Sequence, residues 1–203
     1  MHIRDALDQI SDIRSQLAQT LTFRGYRSLT TAFTGFVAIV AATVQSMWIG
    51  DGANHLHGYL RIWFAAAIVS LTVVGIEIIW RCVRSSHSLQ RELSLAAVEQ
   101  FTPTIVAGAL LTYVLIHSAG ENAWLLPGMW MILFALGVFA SRRLLPRSVF
   151  AVGAYYLLAG LSVLLMDHGA QLRPWVMGSV FGFGQLFAAV ILYISLERGR
   201  GRE

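Results

Sequence analysis

Charge is scarce in this chain. Only 13% of its 203 residues are Asp, Glu, Lys or Arg, against about a quarter in an average soluble domain. Together with 56% hydrophobic residues and a mean hydropathy of +0.63, this excludes a free soluble enzyme, a disordered tail and a nucleic-acid-binding module. It makes lipid the expected solvent. Lysine is absent altogether, and all 15 basic residues are Arg. Cys82 is the sole cysteine, so neither an intramolecular disulfide nor a multi-cysteine metal site can form within one chain. Residues 1–27 lack the basic stretch, apolar core and small-residue cleavage site of a secretory signal, so the first apolar segment is expected to remain as a membrane span. Catalytic signatures are missing too: there is no GxSxG, HExxH, P-loop or GxGxxG in a strand–helix setting. Ser179, within Gly178–Gly182, lies in an apolar segment with no evident base, and no paired carboxylates line an expected cavity. The chain is not expected to be an enzyme.

What it does have is long apolar runs. A hydrocarbon core of about 30 Å needs about 20 apolar residues at about 1.5 Å each. Six stretches come close: Ser28–Ile49, Tyr59–Trp80, Gln100–Ser118, Ala123–Ser141, Phe150–Met166 and Pro174–Leu196. Inside lipid every backbone amide must be satisfied within its own segment, which makes these helices. A membrane β-barrel would show alternating segments of about ten residues instead. The fold class is therefore all-α and polytopic, with six transmembrane helices arranged as three antiparallel hairpins.

Arginine placement sets the direction. Thirteen of the 15 Arg fall before the first run, in the second-to-third and fourth-to-fifth connections, or in the basic tail 197–203. Only Arg61 and Arg173 fall on the opposite side. The positive-inside rule puts the thirteen, and both termini, in the cytoplasm of a cell whose inner membrane holds the chain. The basic isoelectric point thus reflects anionic headgroups rather than nucleic acid. Trp48, Trp124 and Trp175 mark the outer boundary and Trp80 the inner one; Trp63 and Trp130 lie deeper and are expected to pack. The outer connections, Gly50–Gly58, Ala119–Asn122 and Asp167–Arg173, are short. They leave no room for a receptor domain and should hold sequential helices side by side. Gly178 and Gly182 form a GxxxG continued by Ala189, a close-approach face expected to pack within the bundle rather than to dimerise.

Two stretches have helical amphipathicity outside the spans. In residues 1–27, Ile3, Leu7, Ile10, Leu17 and Leu21 form a short heptad seam, with Arg14 at the missing position. Asp5, Asp8 and Asp12 lie off the seam and argue against simple adsorption to anionic lipid. The seam is a contact for a cytosolic protein or a second copy, weighed against an amphipathic helix on the membrane surface. Residues 88–100 form a second cytoplasmic amphipathic helix, with Pro103 opening the third span where its missing amide proton costs little.

Candidate chemistry is sparse. His55, His57, His117 and His168 fall on the outer side with Asp51, Glu121 and Asp167 near them, a donor set suited to a transition metal or haem if three turns converge. Glu77 is the clear intramembrane acid, and Arg81 follows one turn later as an ion-pair partner. A substrate or proton site is the alternative role for Glu77. Gln185, mid-span in the sixth run, and Gln45 in the first are expected to hydrogen-bond neighbouring helices.

Three functions are compatible with these residues. The leading one is a membrane binding, sensing or scaffolding component acting through its cytoplasmic helices. The second is a small transporter or channel for an apolar or weakly polar solute, since a charged one needs midplane partners the chain lacks. The third is a metal or haem protein using the outer histidines.

Overall fold

The computed structural model describes residues 28–50, 55–84, 88–118, 120–141 and 147–197. These residues fold as six α-helices: α1 (Ser28–Trp48), α2 (Leu56–Arg84), α3 (Ser88–Ser118), α4 (Leu126–Ala140), α5 (Phe150–Leu164) and α6 (Pro174–Leu192). Short 3₁₀ turns, Gly120–Leu125, Arg147–Val149 and Ala170–Leu172, lead into α4, α5 and α6, and a π-helical segment, Tyr193–Glu197, extends α6. Pro127 and Pro174 sit in the first turns of α4 and α6, where a missing amide proton leaves no ladder bond broken.

Five stretches are long and apolar enough to cross a membrane: Ser28–Trp48, Leu56–Trp80, Val98–His117, Glu121–Ala140 and Pro174–Ser195. α5, with 15 residues, is about 22 Å long at about 1.5 Å per residue. The distribution of side chains is that of a protein solvated by lipid. Large apolar residues stand exposed on every helix, among them Trp48 at 82%, Ile68 at 63%, Leu110, Leu158 and Phe183. Gln45, Gln171, Thr31, Thr112 and Ser141 are buried instead. A soluble monomer does not expose apolar surface on this scale. Exposed hydroxyls are turned back onto their own helices: Thr43 donates to the Ile39 carbonyl at 2.9 Å and Ser162 to that of Leu158 at 2.8 Å. This satisfies them without water. The chain is a multi-pass membrane protein.

Consecutive helices alternate in direction, so the bundle has two ends, named here by the residues at the two ends of α1. A cluster at the Trp48 end gathers Ala42, Tyr59, Trp63, Ala123, Leu126 and Leu172. Another at the Ser28 end gathers Val138, Val149, Val152, Tyr156, Ala188 and Leu192. The tightest helix pairs are α1 with α6 and α4 with α5. Small residues bring each pair together. A Cβ added at Gly178 would collide with Ala42, and one at Gly182 would come within 2.8 Å of Ile39 Cγ1. Added Cβ atoms at Gly128 and Gly160 would each lie within 2.9 Å of the other's carbonyl oxygen.

Three features differ from the sequence expectations. The sequential neighbours α5 and α6, expected side by side, do not pack closely, and the GxxxG face of α6, expected within the bundle, lies there against α1. The α5–α6 pair is only lightly packed and is tied by Tyr155 and Tyr156, whose hydroxyls donate to the Val180 and Phe181 carbonyls at 3.2 and 3.5 Å. A short connection keeps two helix ends close but leaves the faces free to choose, and the small-residue stripe chooses α1. The break expected at Gln100 does not occur: the amphipathic 88–100 stretch and the third span are one 31-residue helix containing Pro103. Loss of one amide proton interrupts a single ladder bond, which a long membrane helix tolerates. α2 also extends past its expected limits of Tyr59 and Trp80, from Leu56 to Arg84.

Candidate functional site

The site is assembled at the Trp48 end by one buried amide. Gln45 is fully buried. Its backbone carbonyl accepts from the Ile49 and Gly50 amides at 3.0 and 2.9 Å and ends α1, with Gly50 in the left-handed region at φ +67°. Its side chain reaches two other elements: Nε2 donates to the Leu172 carbonyl at 2.9 Å, and Oε1 accepts from the Trp63 indole Nε1 at 2.8 Å. A second indole is fixed likewise, Trp130 Nε1 donating to Thr112 Oγ1 at 2.9 Å, while that hydroxyl donates to the Gly108 carbonyl at 2.7 Å. Tyr59 is buried beside both indoles, stacked with Trp130 at a ring separation of 6.5 Å and tilted against Trp63 at 6.3 Å.

Trp63 and Trp130, their N–H groups engaged, line a cavity of about 440 Å³. That volume falls in the about 300–1,000 Å³ range of small-ligand sites. The walls are mostly apolar, with Phe64, Ala67, Leu133, Met177 and Phe181 among the lining residues. Thr31, Thr34, Ser70, Thr104, Ser141 and Gln185 supply polar atoms. Among the described residues no ionisable side chain lines it. Ile68, Leu71 and Ile105 line it while standing 40% or more exposed, and α2 and α3 touch each other only lightly. The cavity therefore opens sideways between α2 and α3, toward the lipid.

The expected site residues fall as follows. Gln185 lines the cavity and is a hydrogen-bonding partner of Tyr156 on α5. Glu77 lies half-buried on α2, outside the cavity lining. His117 stacks on Tyr113 and its Nδ1 lies 2.9 Å from the Tyr113 carbonyl one turn back. His168 sits edge-on to Trp124 at 4.3 Å, and His55 and His57 are exposed at the start of α2. Among the described residues no group of three His, Cys, Asp or Glu side chains converges to hold a metal. The Ser179 hydroxyl donates to the Trp175 carbonyl of its own helix at 2.5 Å. The heptad residues Ile3, Leu7, Ile10, Leu17 and Leu21, and Asp51, lie outside the described residues.

Sequence reasoning missed the cavity and assigned Trp63 and Trp130 to packing alone. One signal was present: Gln45 and Trp63 each lie four residues from the expected end of their span at the same boundary, so a hydrogen bond between them is the economical way to bury both. No protein-family model matches the chain, and neither a curated protein nor a solved structure matches it.

Proposed function

We propose that this protein is a membrane-embedded binding component whose intramembrane cavity accepts an apolar, lipid-like molecule directly from the bilayer. The observation that carries this reading is the uncharged, largely apolar cavity of about 440 Å³ with its side opening between α2 and α3. Hydrocarbon ligands need no polar path, and lateral entry spares them a passage through water. The reading joins the binding role to the apolar-solute alternative; Gln185 lies where such a solute would sit, and Glu77 does not.

The arrangement in the membrane belongs to the same proposal. Six spans alternate as three hairpins, α5 completing its crossing with the Arg147–Val149 turn and Leu165–Met166. The Ser28 end faces the cytoplasm, where thirteen of 15 Arg lie in sequence, and the inner membrane of a cell is the setting. The Ile3–Leu21 seam adds a contact for a cytosolic protein or another copy.

The test is native mass spectrometry of the full chain released from membranes, comparing wild type with Ala67→Phe and Ala109→Phe, which put bulk into the cavity from α2 and α3. Retention of a lipid-mass adduct by wild type and its loss in either folded variant supports the reading. Equal retention in all three overturns it. Topology is tested separately by reporters at Glu203 that are active on only one side of the membrane.

A further inference from the structure

The polar atoms of the cavity are not spread evenly. Counted along their helices, Thr31, Thr34 and Ser141 lie within about two turns of the Ser28 end, and Ser70, Thr104 and Gln185 lie nearer the middle. Toward the Trp48 end the walls are Trp63, Phe64, Met177 and Phe181, together with the Trp130 ring. Of the lining side chains at that level only Thr112 carries a hydroxyl, and it already accepts from Trp130 and donates to Gly108; the Tyr59 hydroxyl beside it is buried outside the lining without a partner. Tyr59 closes this end by packing against both indoles. Of the lining side chains, those toward the Ser28 end include hydroxyls that can accept from a ligand even where, as at Thr34, they donate to their own helix, and those toward the Trp48 end are chiefly rings and apolar chains.

A ligand that matches must be polar at one terminus and hydrocarbon at the other. It must also be uncharged. An ionised group here would lose its hydration without meeting an opposite charge, a cost of several kcal/mol or more. Hydroxyls and a primary amide, by contrast, both donate to and accept from neutral oxygen.

Resting on the proposed binding role, we infer that the occupant is a neutral single-chain amphiphile whose oxygen-bearing head lies among the hydroxyls of the Ser28 end. Its chain runs toward the Trp63 and Trp130 rings. It slides in sideways between α2 and α3, head and tail already aligned with one leaflet, so no inversion is needed.

The test uses the wild-type full chain in nanodiscs of dioleoylphosphatidylcholine and two photoreactive monoacylglycerols, with a diazirine at the chain terminus or beside the head. Cross-linked peptides are mapped by mass spectrometry. The expected result is saturable labelling of the Trp63–Phe64 and Trp130 peptides by the terminal probe, and of the Thr31–Thr34 and Ser141 peptides by the head-proximal probe. Unlabelled monoacylglycerol should compete at least about tenfold better than an alkyl sulfonate of equal chain length, given the cost of burying its charge. A reversed labelling pattern overturns the orientation, and equal competition by the sulfonate overturns the neutral head, while saturable binding in either case leaves the cavity reading standing. Labelling that never saturates, or that falls on the outward residues Ile76 and Leu110, overturns both the inference and the binding role beneath it.

Discussion

Replacing Gln45 by Leu keeps most of the side-chain volume and removes every polar atom beyond Cγ. Trp63 Nε1 then loses its acceptor and the Leu172 carbonyl loses its donor, both in a region without exposure to water. An unsatisfied buried polar group costs about 1–3 kcal/mol, and measured interhelical hydrogen bonds in membranes contribute about 0.6–2 kcal/mol. Two such losses give about 2–4 kcal/mol. At about 2–4 °C per kcal/mol for a chain of this size, the apparent melting temperature should fall by on the order of 10 °C. The assay is thermal unfolding of the purified chain in detergent, run as a cycle of wild type, Gln45→Leu, Trp63→Phe and the double variant. Because Trp63→Phe removes the donor that Gln45→Leu strands, the double variant should be more stable than the sum of the single losses by about 1 kcal/mol or more. A single-variant cost below about 0.5 kcal/mol, or strict additivity, would refute the claim that this amide holds α1, α2 and the Ala170–Leu172 turn together.

Other outcomes follow from the same contacts. Gly178→Leu should destabilise by about 1–3 kcal/mol or more through overpacking against Ala42, while Gly75→Ala, where an added Cβ meets nothing within 4 Å, should be neutral or stabilising by up to about 1 kcal/mol; resistance to denaturant checks both. Thr112→Val strands one indole donor and should cost about 1 kcal/mol, with a displaced Trp130 indole N–H resonance in the NMR spectrum and that of Trp63 unmoved. Deleting residues 1–21 should abolish crosslinking of the chain to its partner or to another copy in membranes, with membrane insertion retained.

Continuous apolarity announced where helices would lie, because lipid demands it of any segment it solvates. The Pro174–Leu192 helix begins where its run begins. Helix ends were less legible: hydrogen bonding continues past the apolar stretch wherever nothing stops it, as at Leu56–His57 and Arg81–Arg84 of α2 or residues 88–99 of α3. Gly178 and Gly182 signalled a close approach without naming the helix approached, since a bare backbone face fits any small-residue partner. The cavity had no local signature at all. It is a distance between helices, and Trp63 looks the same in sequence whether its ring meets another side chain or an open space.

The α1–α6 seam joins the stretches farthest apart in the described fold. During synthesis α1 emerges with Gly35, Ala38 and Ala42 bare, and the helix that fits them is still unmade while α2 to α5 are synthesised. Maturation is thus a zipper closed by its final tooth. A ribosome that stops before Pro174 leaves a nascent product with an unclaimed groove, the kind of orphan that membrane quality control removes.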